Sequence, residues 1–216
     1  MKAFLFDLNG TVIDDMEFHG RAWFEILNND LGANLSYEDV KKEMYGKNQE
    51  LLVRVFGKDR FTKEEMDTLS FEKEKKYQAA FKPHLQLIKG LGAFFNKAEQ
   101  LQVPMAIGSA AIPFNINFVL DNLALSHYFK AVVSADDVLV SKPDPETFTK
   151  CADLLGVPYG DCIVFEDAPK GVEAARAAGM KAVVITTYHG PEHFAHLDNI
   201  LLFIEDYTDE RLNSLF

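Results

Sequence analysis

The 216-residue sequence has few cysteines and no long apolar run. Its two cysteines, Cys151 and Cys162, lack metal-binding or redox spacing and indicate a reducing, cytoplasmic setting. No apolar run approaches the ~18 residues that a membrane span needs. The apolar N-terminal stretch meets a charge at Asp7, which is too early for a signal peptide. We therefore expect a cytoplasmic protein with no membrane partner.

Positive charge is also scarce, because only 22 Lys and Arg residues accompany 33 Asp and Glu residues. The formal net charge is −11. Proteins that bind duplex nucleic acid or anionic membranes obtain most of their affinity from Lys and Arg. The sequence therefore predicts no nucleic-acid partner. Any small anion must bind at a local cluster of positive groups.

Hydrophobic residues make up 48% of the chain and form short continuous runs, which alternate with helical stretches from about residue 85. The runs are Phe4–Phe6, Met105–Ile107, Val132–Val133, Ile163–Phe165, Val183–Ile185 and Leu201–Ile204. Continuous apolarity is typical of strands that are buried on both faces. The pattern predicts an α/β core with a doubly wound, Rossmann-like parallel sheet.

Residues 15–82 differ from this pattern because they contain no convincing strand. Ser36 and Thr62 each begin a sequence that is typical of a helix N-terminus. The charged run Glu72–Lys76 predicts a solvated helix face. We therefore predict an all-helical domain at residues 15–82, inserted into a core that is formed by residues 1–14 and 83–216.

Polar residues form four short motifs, of which three follow predicted strands and one, around Lys142, precedes a capped helix. The motifs are Phe6-Asp7-Leu8-Asn9-Gly10-Thr11, Ile107-Gly108-Ser109-Ala110, Ser141-Lys142-Pro143-Asp144-Pro145 and Phe165-Glu166-Asp167-Ala168-Pro169-Lys170-Gly171. They supply a carboxylate with a glycine turn, a hydroxyl, a cation and a pair of carboxylates. Open α/β sheets bind ligands at the carboxyl ends of their strands, so we expect these groups to form one site. Gly10 allows a tight loop whose backbone N–H groups can approach an anion.

These motifs, in this order, resemble those of the haloacid dehalogenase superfamily, and specifically its β-phosphoglucomutase-like phosphatase branch. The resemblance covers essentially the whole chain. It implies a phosphohydrolase that acts on a small phosphorylated metabolite through an aspartyl phosphate on Asp7. Members of the family are often monomers, and we expect a monomer here.

The resemblance also implies a role for each site residue. Ser109 and Lys142 would bind the oxygens of the transferring phosphoryl group. The cofactor would be Mg²⁺, a hard cation that prefers oxygen ligands. Its ligands would be Asp7, the backbone carbonyl of Asn9 and Asp167, with assistance from Glu166. Further contacts to the substrate would come from Gly10, Thr11 and Ala110.

The helical insertion resembles the cap domain of the same family, because Glu17-Phe18-His19-Gly20-Arg21-Ala22-Trp23 is close to the pattern of the first cap helix. This match implies that His19 faces the active site and influences acid–base chemistry. Lys73 occupies the position of a cap lysine that contacts substrate oxygens. Gln49 occupies the position where β-phosphoglucomutase carries an arginine that binds the distal phosphate of its substrate.

Asn9 departs from the family pattern, which has an aspartate that protonates the leaving oxygen. An amide cannot exchange a proton in this range, so a contribution of about 10²–10⁴-fold to the rate is lost. Metal binding should survive, because the main-chain carbonyl is the ligand. Four interpretations stay open: a natural phosphatase of low turnover, an enzyme specialised for activated phosphates, a phosphate-binding relic, and a deliberate replacement of Asp that traps an intermediate.

Two other functions are compatible with these motifs: a sugar-phosphate mutase of the β-phosphoglucomutase type, and a non-catalytic protein that binds a phosphorylated metabolite. The neutral amide of Gln49 cannot supply the bidentate charged contact of an arginine, which disfavours the mutase. A metal site at His189, His193 and His196 has a suitable spacing, but these residues lie in a segment that contains Gly and Pro. We favour the phosphatase.

Overall fold

The chain divides into two compact units in a computed structural model that describes residues 2–216. One unit comprises Met1–Asp14 with Gln86–Phe216, and the other comprises Asp15–Leu85. We predicted that the insertion ends at residue 82. A short 3₁₀ turn at Lys82–His84 continues the last helix of the insertion, and the second unit therefore extends to Leu85.

A six-stranded sheet forms the centre of the first unit. Its strands are β1 (Ala3–Phe6), β2 (Met105–Gly108), β3 (Phe129–Val133), β4 (Cys162–Glu166), β5 (Lys181–Ile185) and β6 (Ile200–Ile204). The order is β3-β2-β1-β4-β5-β6, and every neighbouring pair is parallel. This is the doubly wound order, in which the crossovers turn to opposite sides of the central strand. The predicted fold class is confirmed.

Eight α-helices occur within residues 2–216. They are α1 (Met16–Glu25), α2 (Tyr37–Glu43), α3 (Asn48–Phe56), α4 (Lys63–Phe81), α5 (Leu91–Gln100), α6 (Pro113–Asn122), α7 (Glu146–Leu155) and α8 (Pro169–Ala177). None of these helices is both long enough and apolar enough to cross a membrane.

The central strands β1 and β4 are buried along their whole length. Phe6 of β1 stacks on Phe165 of β4, with ring centroids 4.6 Å apart. Burial of each such ring stabilises the fold by about 1.5–3 kcal/mol. The edge strand β3 differs from the prediction, because Val133 is buried while Val132 is 40% exposed. The two strands that carry the acidic motifs are thus fully buried in the core.

The second unit contains α1 to α4, and none of its residues 15–85 lies in a strand. Both predicted helix N-termini are confirmed. The Ser36 hydroxyl accepts the Asp39 N–H at 3.1 Å, and Thr62 and Glu65 form a reciprocal capping box. The apolar side chains of this unit pack around Trp23 and form a core of their own.

The prediction of a solvated face at Glu72–Lys76 is wrong for two of its residues. Lys73 and Glu74 are only 2% and 3% exposed, whereas Lys75 pairs with Glu72 at the surface. Consecutive positions on a helix point in different directions, so a charged run on one helix need not share one environment. The buried pair becomes part of the polar cluster described below.

The two core segments that flank the insertion lie side by side. Ile13 and Leu87 form an antiparallel bridge, and the Ile88 N–H donates to the Val12 carbonyl at 3.0 Å. The chain therefore leaves and re-enters the core at adjacent positions that the core's own backbone holds together.

Candidate active site

Asp7 and Glu166 lie at corresponding positions on neighbouring strands. Phe6 pairs with Phe165 across β1 and β4, and the Asp7 N–H donates to the Phe165 carbonyl at 2.9 Å. Both strands are parallel and end here, so the first and the last motif project from the same edge of the sheet. The sheet therefore juxtaposes residues that are 159 positions apart in the sequence (166 − 7).

Lys142 joins these two motifs through a buried bridge. Its Nζ lies 2.5 Å from Asp7 Oδ1 and 2.7 Å from Glu166 Oε1, and it is 4.6 Å from the centroid of the Phe148 ring. Burial by itself would lower the pKa of Lys142, but the negative charges of Asp7 and Glu166 outweigh burial and raise this pKa above its ordinary value. Lys142 is therefore a permanent positive charge inside an acidic protein.

Glu166 organises the loop after β4. Its Oε2 accepts the backbone N–H groups of Asp167 and Ala168 at 2.9 and 2.8 Å, while its Oε1 faces Lys142. Both carboxylate oxygens are thus already used within the protein. Glu166 fixes the backbone that carries Asp167 and also positions the lysine.

Gly171 on α8 makes room for this carboxylate, a role that we did not assign from the sequence. A Cβ at Gly171 would lie 1.7 Å from Glu166 Oε1. The sequence does carry a sign of this role, because a glycine inside a helix usually has a packing or functional reason. Its neighbour could only be identified from the fold.

The variant Gly171→Ala is expected to lose about 2–4 kcal/mol of unfolding free energy. Disruption of a buried charged pair costs about 3–5 kcal/mol, whereas replacement of glycine by alanine within a helix stabilises the fold by about 1 kcal/mol. Urea denaturation measures the difference. The matched control is Gly160→Ala, since no atom lies within 4 Å of a Cβ built there. Equal stability of the two variants would contradict the assigned role of Gly171.

Gly10 lets the loop after β1 approach Asp167 closely. Its φ is +75°, and a Cβ there would lie 2.2 Å from Asp167 Oδ2. Thr11 is fully buried, with its Oγ1 3.5 Å from Asp167 Oδ1, and its carbonyl accepts the Tyr207 hydroxyl at 3.0 Å. Thr11 thus lies beside Asp167, and its predicted contact with substrate stays a prediction.

Ser109 follows β2, the strand on the other side of β1. The Ser109 N–H donates to the Val133 carbonyl at 2.9 Å, and its hydroxyl accepts the Ala111 N–H at 3.1 Å. Ser109 is buried and Ala110 is partly exposed at the turn. The strand end thus places Ser109 at the carboxyl edge of the sheet, and phosphate binding by Ser109 and Ala110 stays a prediction.

Asn9 is half-buried in the loop after β1. It forms an isolated bridge with Ile13, and the Gly10 N–H donates to the Ile13 carbonyl at 2.8 Å. These contacts hold the backbone at Asn9, which is the part of the residue that the metal prediction uses.

The donor set at this edge fits Mg²⁺. Asp7, Asp167 and the Asn9 carbonyl offer only oxygen ligands, and Gly10 leaves space beside Asp167 where a Cβ would clash. Within residues 2–216, no three His, Cys, Asp or Glu side chains form a ready-made metal cluster. Mg²⁺ needs none, because it retains several waters and binds through one or two carboxylates.

His19 and Lys73, two of the residues predicted in the cap, lie in one buried cluster within the second unit. Lys73 Nζ lies 2.5 Å from His19 Nδ1 and 3.0 Å from Glu74 Oε1. His19 Nε2 lies 3.2 Å from Asp15 Oδ2, and the His19 ring stacks on Tyr77. Burial lowers the pKa of Lys73, and the charge of Glu74 opposes that shift. The contacts that the structure gives Lys73 are to its own unit, so its contact with substrate oxygens stays a prediction.

Gln49 lies in the first turn of α3, where its Nε2 donates to Asp67 Oδ1 at 3.0 Å. This amide is paired with a carboxylate and carries no charge. The structure thus gives Gln49 a partner within the second unit, and its predicted place near a distal phosphate of the substrate stays a prediction.

Comparisons with known proteins give a consistent result. A family model described as a haloacid dehalogenase-like hydrolase matches residues 1–179. The chain is 35% identical over 181 residues to fructose-1-phosphate phosphatase of Escherichia coli, which covers 83% of this chain and 93% of that protein. It is 30% identical over 192 residues to β-phosphoglucomutase of Bacillus subtilis, with 85% and 82% covered.

A crystal structure of a HAD hydrolase, family IA, variant 3, from Entamoeba histolytica has a similar fold. Its TM-score is 0.88 at 26% sequence identity, and the match covers 100% of this chain and 97% of that one. The similarity therefore includes the helical insertion as well as the α/β core.

Proposed function

This chain belongs to the haloacid dehalogenase-like hydrolases, and on that basis we propose that it is a Mg²⁺-dependent phosphatase of a small sugar phosphate. The observation that supports this best is the buried bridge of Lys142 between Asp7 and Glu166. A preorganised cation beside a carboxylate suits phosphoryl transfer, in which negative charge accumulates. The relatives named fructose-1-phosphate phosphatase and β-phosphoglucomutase support a phosphorylated sugar as the substrate.

The first step would be attack of the Asp7 carboxylate on phosphorus. The bond from phosphorus to the sugar oxygen would break, and an aspartyl phosphate would form on Asp7. Lys142 would offset the charges that Asp7 and the phosphoryl group bring together, and Ser109 would donate to a phosphoryl oxygen. In the second step, water would attack phosphorus and release phosphate, which regenerates the Asp7 carboxylate.

Asp7, Asp167 and the Asn9 carbonyl would hold the Mg²⁺. Bound there, the ion would supply positive charge against the phosphoryl oxygens. We assign Glu166 to orientation of the Asp167 loop, because its two oxygens already accept bonds from Lys142 and from two backbone N–H groups.

Asn9 would limit the rate at both steps. Its amide cannot protonate a departing sugar oxygen, and it cannot deprotonate the water of the second step. The proton must then come from solvent, so turnover of a sugar phosphate would be slow. Leaving groups that depart unprotonated would be affected least.

The test is phosphate release from a panel of sugar monophosphates and from p-nitrophenyl phosphate. We expect release that requires Mg²⁺, stops when EDTA removes the metal, and resumes when Mg²⁺ is restored. The activated ester should react faster than any sugar phosphate. Interconversion of glucose phosphates without release would indicate the mutase, and ligand binding without reaction would indicate a binding protein. Either result would overturn the phosphatase.

A further inference from the structure

The segment after β5 touches both loops that carry the proposed metal ligands. The Thr187 hydroxyl donates to the Gly10 carbonyl at 2.6 Å, in the loop after β1. His189 Nδ1 lies 3.2 Å from the Asp167 carbonyl, in the loop after β4. Two side chains of one short segment therefore bind the backbone of both halves of the site. Neither residue belongs to any of the four motifs.

The contact with the Asp167 carbonyl determines which ring nitrogen of His189 carries the proton. A carbonyl oxygen only accepts hydrogen bonds, so Nδ1 of His189 must carry the proton and donate. The ring is held in place by edge-to-face contacts with Tyr188 at 5.0 Å and with His193 at 5.4 Å between centroids. His189 is thus an oriented donor with a defined target.

The segment itself is anchored to the sheet. The Thr186 N–H donates to the Ile204 carbonyl of β6 at 2.9 Å, and the Thr186 hydroxyl contacts the same oxygen at 3.2 Å. Residues 187–189 follow directly from this anchor. Their contacts can therefore set the positions of Gly10 and Asp167 relative to the sheet and to each other.

We propose that Thr187 and His189 are positioning residues that hold the loops after β1 and β4 at the separation the metal site requires. This inference rests on the proposed function, because it assumes that Asp7, Asn9 and Asp167 bind a divalent cation. Strand pairing fixes Asp7 through the Phe165 carbonyl. Gly10 and Asp167 lie beyond the paired strands, where side chains from a third loop can hold them. In other proteins, groups that hydrogen-bond to the metal ligands without binding the metal orient those ligands.

The experiment measures metal binding without substrate. Mn²⁺ is added to the intact protein, and electron paramagnetic resonance of the free ion gives the dissociation constant. We expect His189→Ala and Thr187→Val each to weaken binding by about 10-fold, the lower end for loss of a group that hydrogen-bonds to a metal ligand. His189→Asn keeps an N–H donor and should restore binding to within about 3-fold of the wild type. A purely structural role would not predict this rescue.

The matched control is His196→Ala. His196 also follows β5, is 54% exposed and pairs with Glu173. Among residues 2–216 it forms no metal-binding cluster with His189 and His193. Its removal should leave Mn²⁺ affinity unchanged. Circular dichroism and thermal melting of each variant establish that it is folded. If His189→Ala fails to fold, the Mn²⁺ affinity of Thr187→Val decides: affinity equal to that of the wild type would overturn the positioning role.

The outcomes separate the two proposals. If the wild type binds Mn²⁺ and the variants bind equally well, the positioning role is overturned and the phosphatase proposal stands. If His189→Asn binds as weakly as His189→Ala while both are folded, the hydrogen bond is not the cause and the positioning role is also overturned. If the wild type binds no Mn²⁺, both proposals fail.

Discussion

The variant Asp7→Asn should lose turnover by about 10⁶-fold, the scale seen when a catalytic nucleophile is removed. An amide of almost the same shape cannot attack phosphorus, so no aspartyl phosphate can form. The fold should tolerate the change, because Lys142 keeps its contact with Glu166 at 2.7 Å. The measurement is initial-rate release of phosphate from p-nitrophenyl phosphate with Mg²⁺.

A second measurement distinguishes a missing nucleophile from a damaged site. Wild type that is mixed with radiolabelled substrate and then quenched with acid should carry label on the peptide that contains Asp7. With p-nitrophenyl phosphate, whose leaving group departs unprotonated, this species should accumulate, because Asn9 cannot activate water for the second step. Asp198→Asn, the same change at an exposed position, should retain both label and activity. Label that persists in Asp7→Asn would show that Asp7 is not the nucleophile.

Replacement of Asn9 by Asp should raise turnover by about 10²–10⁴-fold, the usual contribution of a positioned general acid–base group. The gain should be larger for a sugar phosphate than for p-nitrophenyl phosphate, because the sugar oxygen needs a proton as it departs. The backbone bridge between Asn9 and Ile13 does not depend on the side chain, so metal binding should persist. The comparison of kcat on the two substrates measures this directly.

Two controls sharpen this second prediction. Asn122→Asp makes the same chemical change at an exposed position on α6 and should alter neither rate. Combination with Asp7→Asn should abolish the gain, because the acid has no covalent step to assist. An Asn9→Asp variant that binds sugar phosphates and releases nothing would identify the chain as a binding protein.

The α/β core could be predicted from the sequence because its signals are local. Strands buried on both faces leave continuous apolar runs, and parallel strands place their carboxyl ends at one edge. Phe4–Phe6 and Ile163–Phe165 both obey this rule, and the residues that follow them meet in the structure. The assembly of Asp7 with Glu166 therefore followed from the pattern alone.

Other features could not be predicted, since they depend on which surfaces meet. The run Glu72–Lys76 is polar throughout, and nothing within it indicates that Lys73 and Glu74 turn toward His19. The partners of Thr187 and His189 lie 177 and 22 positions away in the sequence. Hydrogen bonds to backbone carbonyls leave no trace in the identity of the partner residue. Prediction from sequence motifs therefore cannot identify such contacts.

The bridge between Ile13 and Leu87 has a consequence for how such a protein can change over evolutionary time. Because the core itself holds the two ends of the 15–85 segment together, the length and architecture of that segment are weakly constrained. Each doubling of a flexible loop costs only about 0.6 kcal/mol in closure entropy. A different module could be spliced between the same two residues without altering the sheet. Changes in the insertion and changes in the α/β core would then fall on separate stretches of one gene.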